Sequence, residues 1–418
     1  MTETLSHSVK AADEREVREV RETSCCIVGG GPAGVILALL LARKNVPVVL
    51  LEAHEDFERD FRGDTIHPSV MELLDAVGLA DRLLELRHSK IPTVSFSTPD
   101  GLVTLADFKR LKTRFPYITM LPQAQFLAFV AAEAKRYPSF QLTMGARVEE
   151  LIEEGGRVRG VRYRGEDGWH EVRALLTVGA DGRSSRVRHL TGMEPVKTSP
   201  PMDVLWFRLP RKPEDPEGAL ARISRGHAVV MLDRLEQWQT AYVILKGSYG
   251  EIRAAGIDAL RKSIAEVLPE FADRTSHLKD WKQVSMLSVE SSRLRQWYRE
   301  GLLLIGDAAH VMSPVGGVGI NYAIQDAVVA SNILSEPLSR GDLGLEHLRA
   351  VQREREWPTR VIQSIQALIQ QRIIAAALNP NQQFKPPFIL RLMLSIPVLR
   401  NLPARIIAFG VKRVRVKK

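Results

Sequence analysis

Cysteine is almost missing: Cys25 and Cys26 stand side by side and are the only two among 418 residues. Adjacent strand positions face opposite sides, and without spaced partners there is neither a disulfide framework nor a C-x-x-C redox pair. The chain therefore reads as a cytoplasmic, reducing-compartment protein. Long apolar runs are missing too, since no uninterrupted stretch reaches the ~18 residues a spanning helix needs. The first twenty residues mix acids and bases around no apolar core, which excludes a secretory signal and makes residues 1–22 an expected disordered leader. Acids disappear after Glu356, whereas Lys385, Arg391, Arg400, Arg405 and the terminal KRVRVKK are basic. The formal charge of +9 is thus concentrated at one end, and a nucleic-acid reading of the whole chain loses its support. Internal repeats and low-complexity segments are also absent.

What is present is an apolar core's worth of sequence, 45% hydrophobic beside 26% charged, enough for two packed domains or one elaborated α/β domain. The most informative stretch is Cys25–Glu52, CCIVGGGPAGVILALLLARKNVPVVLLE. An apolar run ends in glycines, Pro32 and Ala33 open an apolar helical segment, and Val46–Leu51 forms a β-branched run ending in Glu52. The order is strand, tight turn, helix, strand. Gly29-x-Gly31-x-x-Gly34 supplies a sharp turn, close backbone approach to a pyrophosphate, and tight packing of helix on strand. The first helical turn offers free N–H groups to phosphates, and Glu52 stands at the ~20-residue distance where an acid accepts from an adenosine ribose. NAD and FAD both satisfy this pattern, and a glycine turn serving packing alone is the bland alternative.

Further along, Pro68 opens a helix after the polar turn Arg62-Gly63-Asp64-Thr65, and residues 91–106 read as a hairpin around Thr98-Pro99-Asp100-Gly101. Pro122–Lys135 has helical periodicity. Three short strands follow, at Gly145–Glu153, Arg157–Arg164 and Trp169–Ala174, and Leu175–Val178 runs into GADGRSSR. From Met193 to Tyr298 mixed strands surround one helix over Ile252–Leu268, a sheet whose open face could cover a ligand. Gly301–Gly306 is a buried-type strand and Ile320–Leu334 a helix.

The segment Gly306-Asp307-Ala308-Ala309-His310 with Pro314-Val315-Gly316-Gly317-Val318-Gly319-Ile320-Asn321 separates NAD from FAD. It closely resembles the second flavin motif of the FAD-dependent aromatic hydroxylases, the single-component monooxygenase family of para-hydroxybenzoate hydroxylase. Asp181-Gly182 resembles that family's Asp-Gly motif, and the glycines with Glu52 its first motif, so the resemblance spans about residues 25–335. It implies an α/β fold: a Rossmann-type FAD-binding domain (23–90 with 107–192 and 299–340), an interleaved mixed-sheet substrate domain (91–106 with 193–298), and a C-terminal helical region with a basic tail (341–418).

The resemblance further implies FAD as cofactor, NADPH or NADH as reductant, O₂ as co-substrate and no metal. The flavin C4a-hydroperoxide would pass oxygen to an aromatic, quinol-like or polyketide-like small molecule. Arg62 would lie near the pyrophosphate and ribityl chain, Gln123 would contact FAD, and Asp181 would line the pyrophosphate side. Asp307 would accept from ribityl hydroxyls. Gly316 and Gly319 would let backbone approach the flat ring, and the helix beginning at Ile320 and Asn321 would face its pyrimidine edge, where its dipole favours the anion formed on reduction. Pro314 would shape the oxygen-transfer site. For Arg62 a surface ion pair, and for Gln123 a plain helix-end contact, are the alternatives. His67 and His310 are read as structural. Trp206, Phe207 and Met231 are candidates to line the substrate pocket, with core packing as the other reading.

Only one dinucleotide fingerprint is present, which disfavours the disulfide-reductase branch of FAD proteins, and a halogenase's W-x-W-x-I-P signature is missing. The competing functions are a same-fold flavin reductase or dehydrogenase of prenyl-lipid or quinone type, and a membrane-surface protein acting through its tail. Phe384–Gly410 is apolar with interspersed arginines and is broken by Pro386, Pro387, Pro397 and Pro403. It suits either packing along the FAD domain or weak, peripheral contact with an anionic membrane, to which the terminal cations would contribute.

Overall fold

The computed structural model describes residues 16–58, 63–98, 101–224, 226–379, 392–394, 396 and 399–417. Its first strand, β1 (Val17–Val28), carries the initial surprise, because residues 17–22 belong to it and are not a leader. Their charged side chains give no apolar periodicity, yet the main chain forms a ladder with residues 169–173, and the Arg21 guanidinium donates to the Tyr163 hydroxyl. Backbone pairing needs no apolar face.

Helix α1 (Pro32–Ala42) starts on Pro32, whose missing N–H costs nothing there, and is buried all round from Ala33 to Ala42. It leads into β2 (Val48–Leu51), buried at every position, as strands of a covered parallel sheet are. The short strand β3 (Thr65–Ile66) precedes α2 (Pro68–Ala76). The hairpin of β4 (Thr93–Thr98) and β5 (Gly101–Asp107) follows, then β6 (Ile118–Met120), α3 (Gln123–Ala134) and β7 (Phe140–Thr143). After β8 (Arg147–Glu154) and β9 (Arg157–Gly165), the segments read from sequence as Trp169–Ala174 and Leu175–Val178 are one strand, β10 (Gly168–Gly179). It pairs antiparallel with β9 and parallel with β1, so it belongs to hairpin and Rossmann-like sheet at once.

The second sheet is built from β11 (Met202–Pro210), β12 (Ala219–Ser224), β13 (His227–Asp233), β14 (Gln237–Leu245) and β15 (Ser285–Leu287), with the β4–β5 hairpin added along its edge. The single helix expected over 252–268 is two, Tyr249–Ala254 and α4 (Ile257–Val267), divided at Gly256, whose φ of +89° stops the first. The chain then returns to the first sheet through β16 (Tyr298–Arg299) and β17 (Leu302–Leu304), completing the order β16-β17-β10-β1-β2-β7 with β9 and β8 attached. Helix α5 (Gly319–Arg340) packs beside α1, and α6 (Leu345–Ile369) continues through a π turn, Gln370–Ile374. Helix α7 (Leu402–Phe409) ends at Gly410. Among the described residues no helix is long and apolar enough to cross a membrane.

Strand alternation corrects two of the pocket candidates. Leu205, Phe207 and Leu209 of β11 share a cluster with Val229, Met231, Trp238, Tyr242 and the buried face of α4. Phe207 and Met231 are therefore helix-packed core, 0% and 1% exposed. Trp206, one residue along, lies on the other face with Val204, Ala228, Val230, Ala241 and Val243. Residues one apart on a strand cannot line the same pocket. Phe207→Ala should lower unfolding free energy by about 3–5 kcal/mol, because it removes a filled aromatic site. Chemical denaturation measures this, and a loss near zero would mean that the Phe207 site is not packed.

Candidate active site

Five parallel strands end in one row: Thr143, Leu51, Val28, Gly179 and Leu304 are successive partners across β7, β2, β1, β10 and β17. The loops that follow, at Glu52, Gly29–Gly31, Ala180–Arg183 and Ile305–Asp307, therefore emerge at the same edge. The carboxyl edge of a doubly wound sheet is where ligands bind.

The three glycines have three different surroundings. A Cβ on Gly29 (φ +106°) would fall 2.6 Å from the Ala180 carbonyl oxygen, and one on Gly34 would fall 1.9 Å from the Gly29 carbonyl oxygen. Both glycines are required by protein packing. Gly31 is not: its nearest neighbour would be 3.9 Å away, its φ is −74°, and α1 begins there without a side-chain cap. Packing leaves this position room for a side chain, and the space in front of the uncapped helix N-terminus is open. Glu52 is 7% exposed and accepts from the Gly30 N–H at 2.7 Å and the His54 N–H at 3.0 Å, while His54 Nδ1 is 2.6 Å from its Oε1. The acid is thus fixed in place, and carboxylate oxygens have lone pairs beyond these bonds.

The turn bearing Asp307 is seated between both helices, since a Cβ on Gly306 would meet Ala323 of α5 at 3.2 Å and Ala33 of α1 at 3.4 Å. Asp307 alone emerges partly from an otherwise buried run 301–310. Beneath it lies a network that sequence reading missed. Asp326 Oδ2 accepts from the Gly306 N–H at 3.0 Å and is 2.6 Å from His310 Nε2, while Oδ1 accepts from Arg355 Nε at 2.7 Å. Burial works against the Asp326 carboxylate, but His310 and Arg355 outweigh it and hold its pKa below the ordinary value. His310 is therefore structural.

The loop Pro314–Asn321 is closed by the Gly317 N–H donating to the Pro314 carbonyl at 3.0 Å, and α5 begins at Gly319 without a side-chain cap. Ile320 contacts the Gly63 backbone, since a Cβ there would lie 3.2 Å from Ile320 Cδ1. Asn321 is buried and committed to the protein: Oδ1 accepts from the His67 N–H at 2.9 Å and Nδ2 donates to the Gly317 carbonyl at 3.2 Å. Gln366 of α6 and Gln370 at the start of the π turn hold the other side. Gln366 Nε2 donates to the Ser313 and Val315 carbonyls at 2.9 and 2.7 Å, and Gln370 Nε2 to the Ser313 hydroxyl. His67 Nδ1 is 2.6 Å from the Ile407 carbonyl and must carry the proton. Nε2 is then a buried acceptor without a partner among the described residues, 3.7 Å from where a Gly317 Cβ would stand.

The remaining expectations divide. Asp181 keeps its carboxylate within its own loop, accepting from Ser185 Oγ at 2.5 Å and the Val187 N–H at 3.0 Å. Burial pushes its pKa up. Only its backbone walls the Gly29 turn. Gln123 donates its N–H to Asp64 Oδ1 at 3.1 Å, and Asp64 Oδ2 is 3.0 Å from Arg234 Nε, a polar link from the start of α3 to the turn after β13. Arg62 lies outside the described residues. Residues 411–417 pack along α5, with Asn332 bonded to the Arg415 carbonyl and the Lys417 N–H, Lys412 paired with Glu354, and Arg413 with Glu72. That is the packing arrangement for the tail.

A family model described as "FAD binding domain" matches residues 22–363. The chain is 34% identical over 400 residues to 6-methylpretetramide 4-monooxygenase of Streptomyces rimosus, covering 94% of each. The chain belongs to the FAD-dependent aromatic hydroxylase family. It is an FAD-dependent monooxygenase. It is also 28% identical over 314 residues to 12-dehydrotetracycline 5-monooxygenase/anhydrotetracycline 6-monooxygenase of Streptomyces rimosus, covering 72% of this chain and 60% of that protein. The fold is that of p-nitrophenol 4-monooxygenase from Pseudomonas putida (TM-score 0.73, 21% identity, 93% and 94% of the two chains covered).

The observed edge fits the cofactor of this hydroxylase family: open space at Gly31, two uncapped helix N-termini beside one turn, and carboxylates at Glu52 and Asp307. Gly31→Ala should purify with little FAD yet, with flavin removed from both, melt as the parent does, whereas Gly34→Ala should lose stability itself, by at least the ~1–3 kcal/mol of an overpacked core. Flavin absorbance beside thermal melting separates them. Equal flavin content in Gly31→Ala and the parent would remove the phosphate reading of Gly31.

Burial brings the His67 pKa down from 6.5 to about 4. The unfolded chain takes up this proton first as pH falls, so the stability His67 contributes is full above pH 6.5 and is lost toward pH 4, by about 3 kcal/mol in all. His67→Gln should flatten the melting temperature across that window. A slope identical to wild type would show that His67 does not titrate between these limits.

Proposed function

We propose that this enzyme hydroxylates a polycyclic aromatic polyketide. FAD would be held by the α1 N-terminus at Gly31, by Glu52 and Asp307, and by the α5 N-terminus behind Gly316–Gly319. When bound, the flavin takes a hydride from NADPH or NADH and activates O₂ for transfer to the substrate. The chain's own work is to favour negative charge at the ring's pyrimidine edge through the α5 dipole, to fix the Pro314 loop through Gln366 and Gln370, and to keep water away.

One observation carries the substrate class. The sheet face bearing Trp206, Ile223, Val230 and Leu287 meets Val315 of the flavin loop and Ile374 of the π turn, all partly buried. This apolar wall includes the buried Trp206 Nε1–H, which has no partner among the described residues. A buried indole N–H ordinarily finds an acceptor, and a polyketide carbonyl or phenolic oxygen supplies one. The relative named 6-methylpretetramide 4-monooxygenase supports the same class.

The test is NAD(P)H oxidation by the holoenzyme with polycyclic phenols beside single-ring phenols under labelled O₂. We expect the polycyclic compounds to stimulate turnover and to carry one labelled oxygen. Trp206→Phe should raise KM roughly fivefold, as a lost neutral hydrogen bond of about 1 kcal/mol implies, with flavin content unchanged. Product without label would favour the reductase alternative, and stimulation by single-ring phenols alone would overturn the polyketide assignment.

A further inference from the structure

Helix α7 presents two unlike faces. Ala404 and Ala408 are buried against Ile91, Ala106 and Phe108, with Ile407 beside them. The opposite face borders an open groove of about 840 Å³. Its apolar floor is Leu111, Val361, Ile365, Leu402, Ile406 and Phe409, and its charged rim is Arg110, Lys112, Arg405 and Arg413. The lining contains no acidic residue. Arg110 and Arg413 are ion-paired with Asp107 and Glu72, whereas Lys112 and Arg405 are exposed at the rim. Leu402, at the groove, is exposed, and so are Leu368, Leu392, Ile396 and Leu399 elsewhere in the acid-free C-terminal part of the chain, five of the eleven large apolar side chains exposed among the described residues. No acid follows Glu356 anywhere in the sequence.

We infer that this face docks on the surface of an anionic lipid bilayer. Apolar side chains ringed by cations, on an arm without acids and too short in its pieces to span, match the chemistry of an interfacial anchor. A zwitterionic surface leaves the cations without a counterpart, and an aqueous surface leaves the leucines without cover. Of residues 411–417, Val411 and Arg413 line the groove, but Lys412 and Arg413 are already paired and the backbone of Arg415 and Lys417 is bonded to Asn332 of α5, so the contact is placed on α7. Docking through α7 also places the membrane against the helix whose Ile407 carbonyl holds His67 and whose Ile406 packs on Met312 and Val318 beside the flavin loop. This inference does not depend on the polyketide assignment.

The test is co-sedimentation of the full-length holoenzyme with vesicles of phosphatidylcholine alone and of phosphatidylcholine with phosphatidylglycerol, at low and high salt. Binding should need phosphatidylglycerol and weaken with salt. Lys112→Glu with Arg405→Glu should lower partitioning at least ~25-fold, at roughly fivefold for each cation near an anionic surface. Leu402→Asn, which leaves charge unchanged, should lower it severalfold. All three substitutions are at exposed positions, so flavin absorbance and melting temperature should match wild type. Absence of binding to phosphatidylglycerol vesicles, or equal binding by the double variant and wild type, overturns the inference. So does loss of binding in Arg415→Glu with Lys417→Glu while the Lys112 and Arg405 variant still binds, which would place the contact in the tail.

Discussion

The Asp326 carboxylate is completely buried and accepts from three separate parts of the chain: the Gly306 amide, the His310 ring and the Arg355 guanidinium. Through it, α5, the turn carrying Asp307 and α6 share one fixed geometry. Removing a partner from such a group strands a buried charge at about 3–5 kcal/mol, so the arrangement has no cheap alternative. Arg355 compensates part of its own burial by lying over the Tyr322 ring, 5.2 Å from its centroid. The turn carrying Asp307 is held from below by charge, and from the sides by the close contacts of Gly306 with Ala33 and Ala323.

The second constraint comes from α6. Gln363, Gln366 and Gln370 recur along one face of the helix and reach Val311, Ser313 and Val315, the strand and loop leading into the flavin motif. At Gln370 the helix opens into a π turn, a feature common at functional positions, and Ile374 at its end faces the substrate sheet. One helix with its π turn thus fixes the Ser313–Val315 loop and supplies part of the apolar cluster on the Trp206 face of the second sheet. Polar side chains serve here because a loop's carbonyls must be satisfied once they are buried.

The sequence by itself determined the cofactor side. Glycine spacing, the order strand–helix–strand, Glu52 and the Gly306–Asn321 segment are local patterns, and the chemistry they serve is local: a turn, a helix end, a carboxylate after a strand. The alternation of β11 likewise puts Trp206 and Phe207 on opposite faces, whatever packs against them. Which face would be covered by α4 and which would meet the flavin loop was decided only by tertiary packing, because both are apolar and nothing within the strand distinguishes them. Residues 17–22 followed the same rule in reverse. Their charges look like a solvated leader, and only the distant β10 supplies the backbone partners that make them a strand. Asp326, Arg355, Gln366 and Gln370 carry no motif, since their importance arises from where three helices and a turn meet. The Asn321 side chain ties the helix start at His67 to Gly317, and the Asp181 side chain caps its own loop, bonds that no pattern in the sequence marks, because a buried polar group must be satisfied by whatever the fold brings within reach.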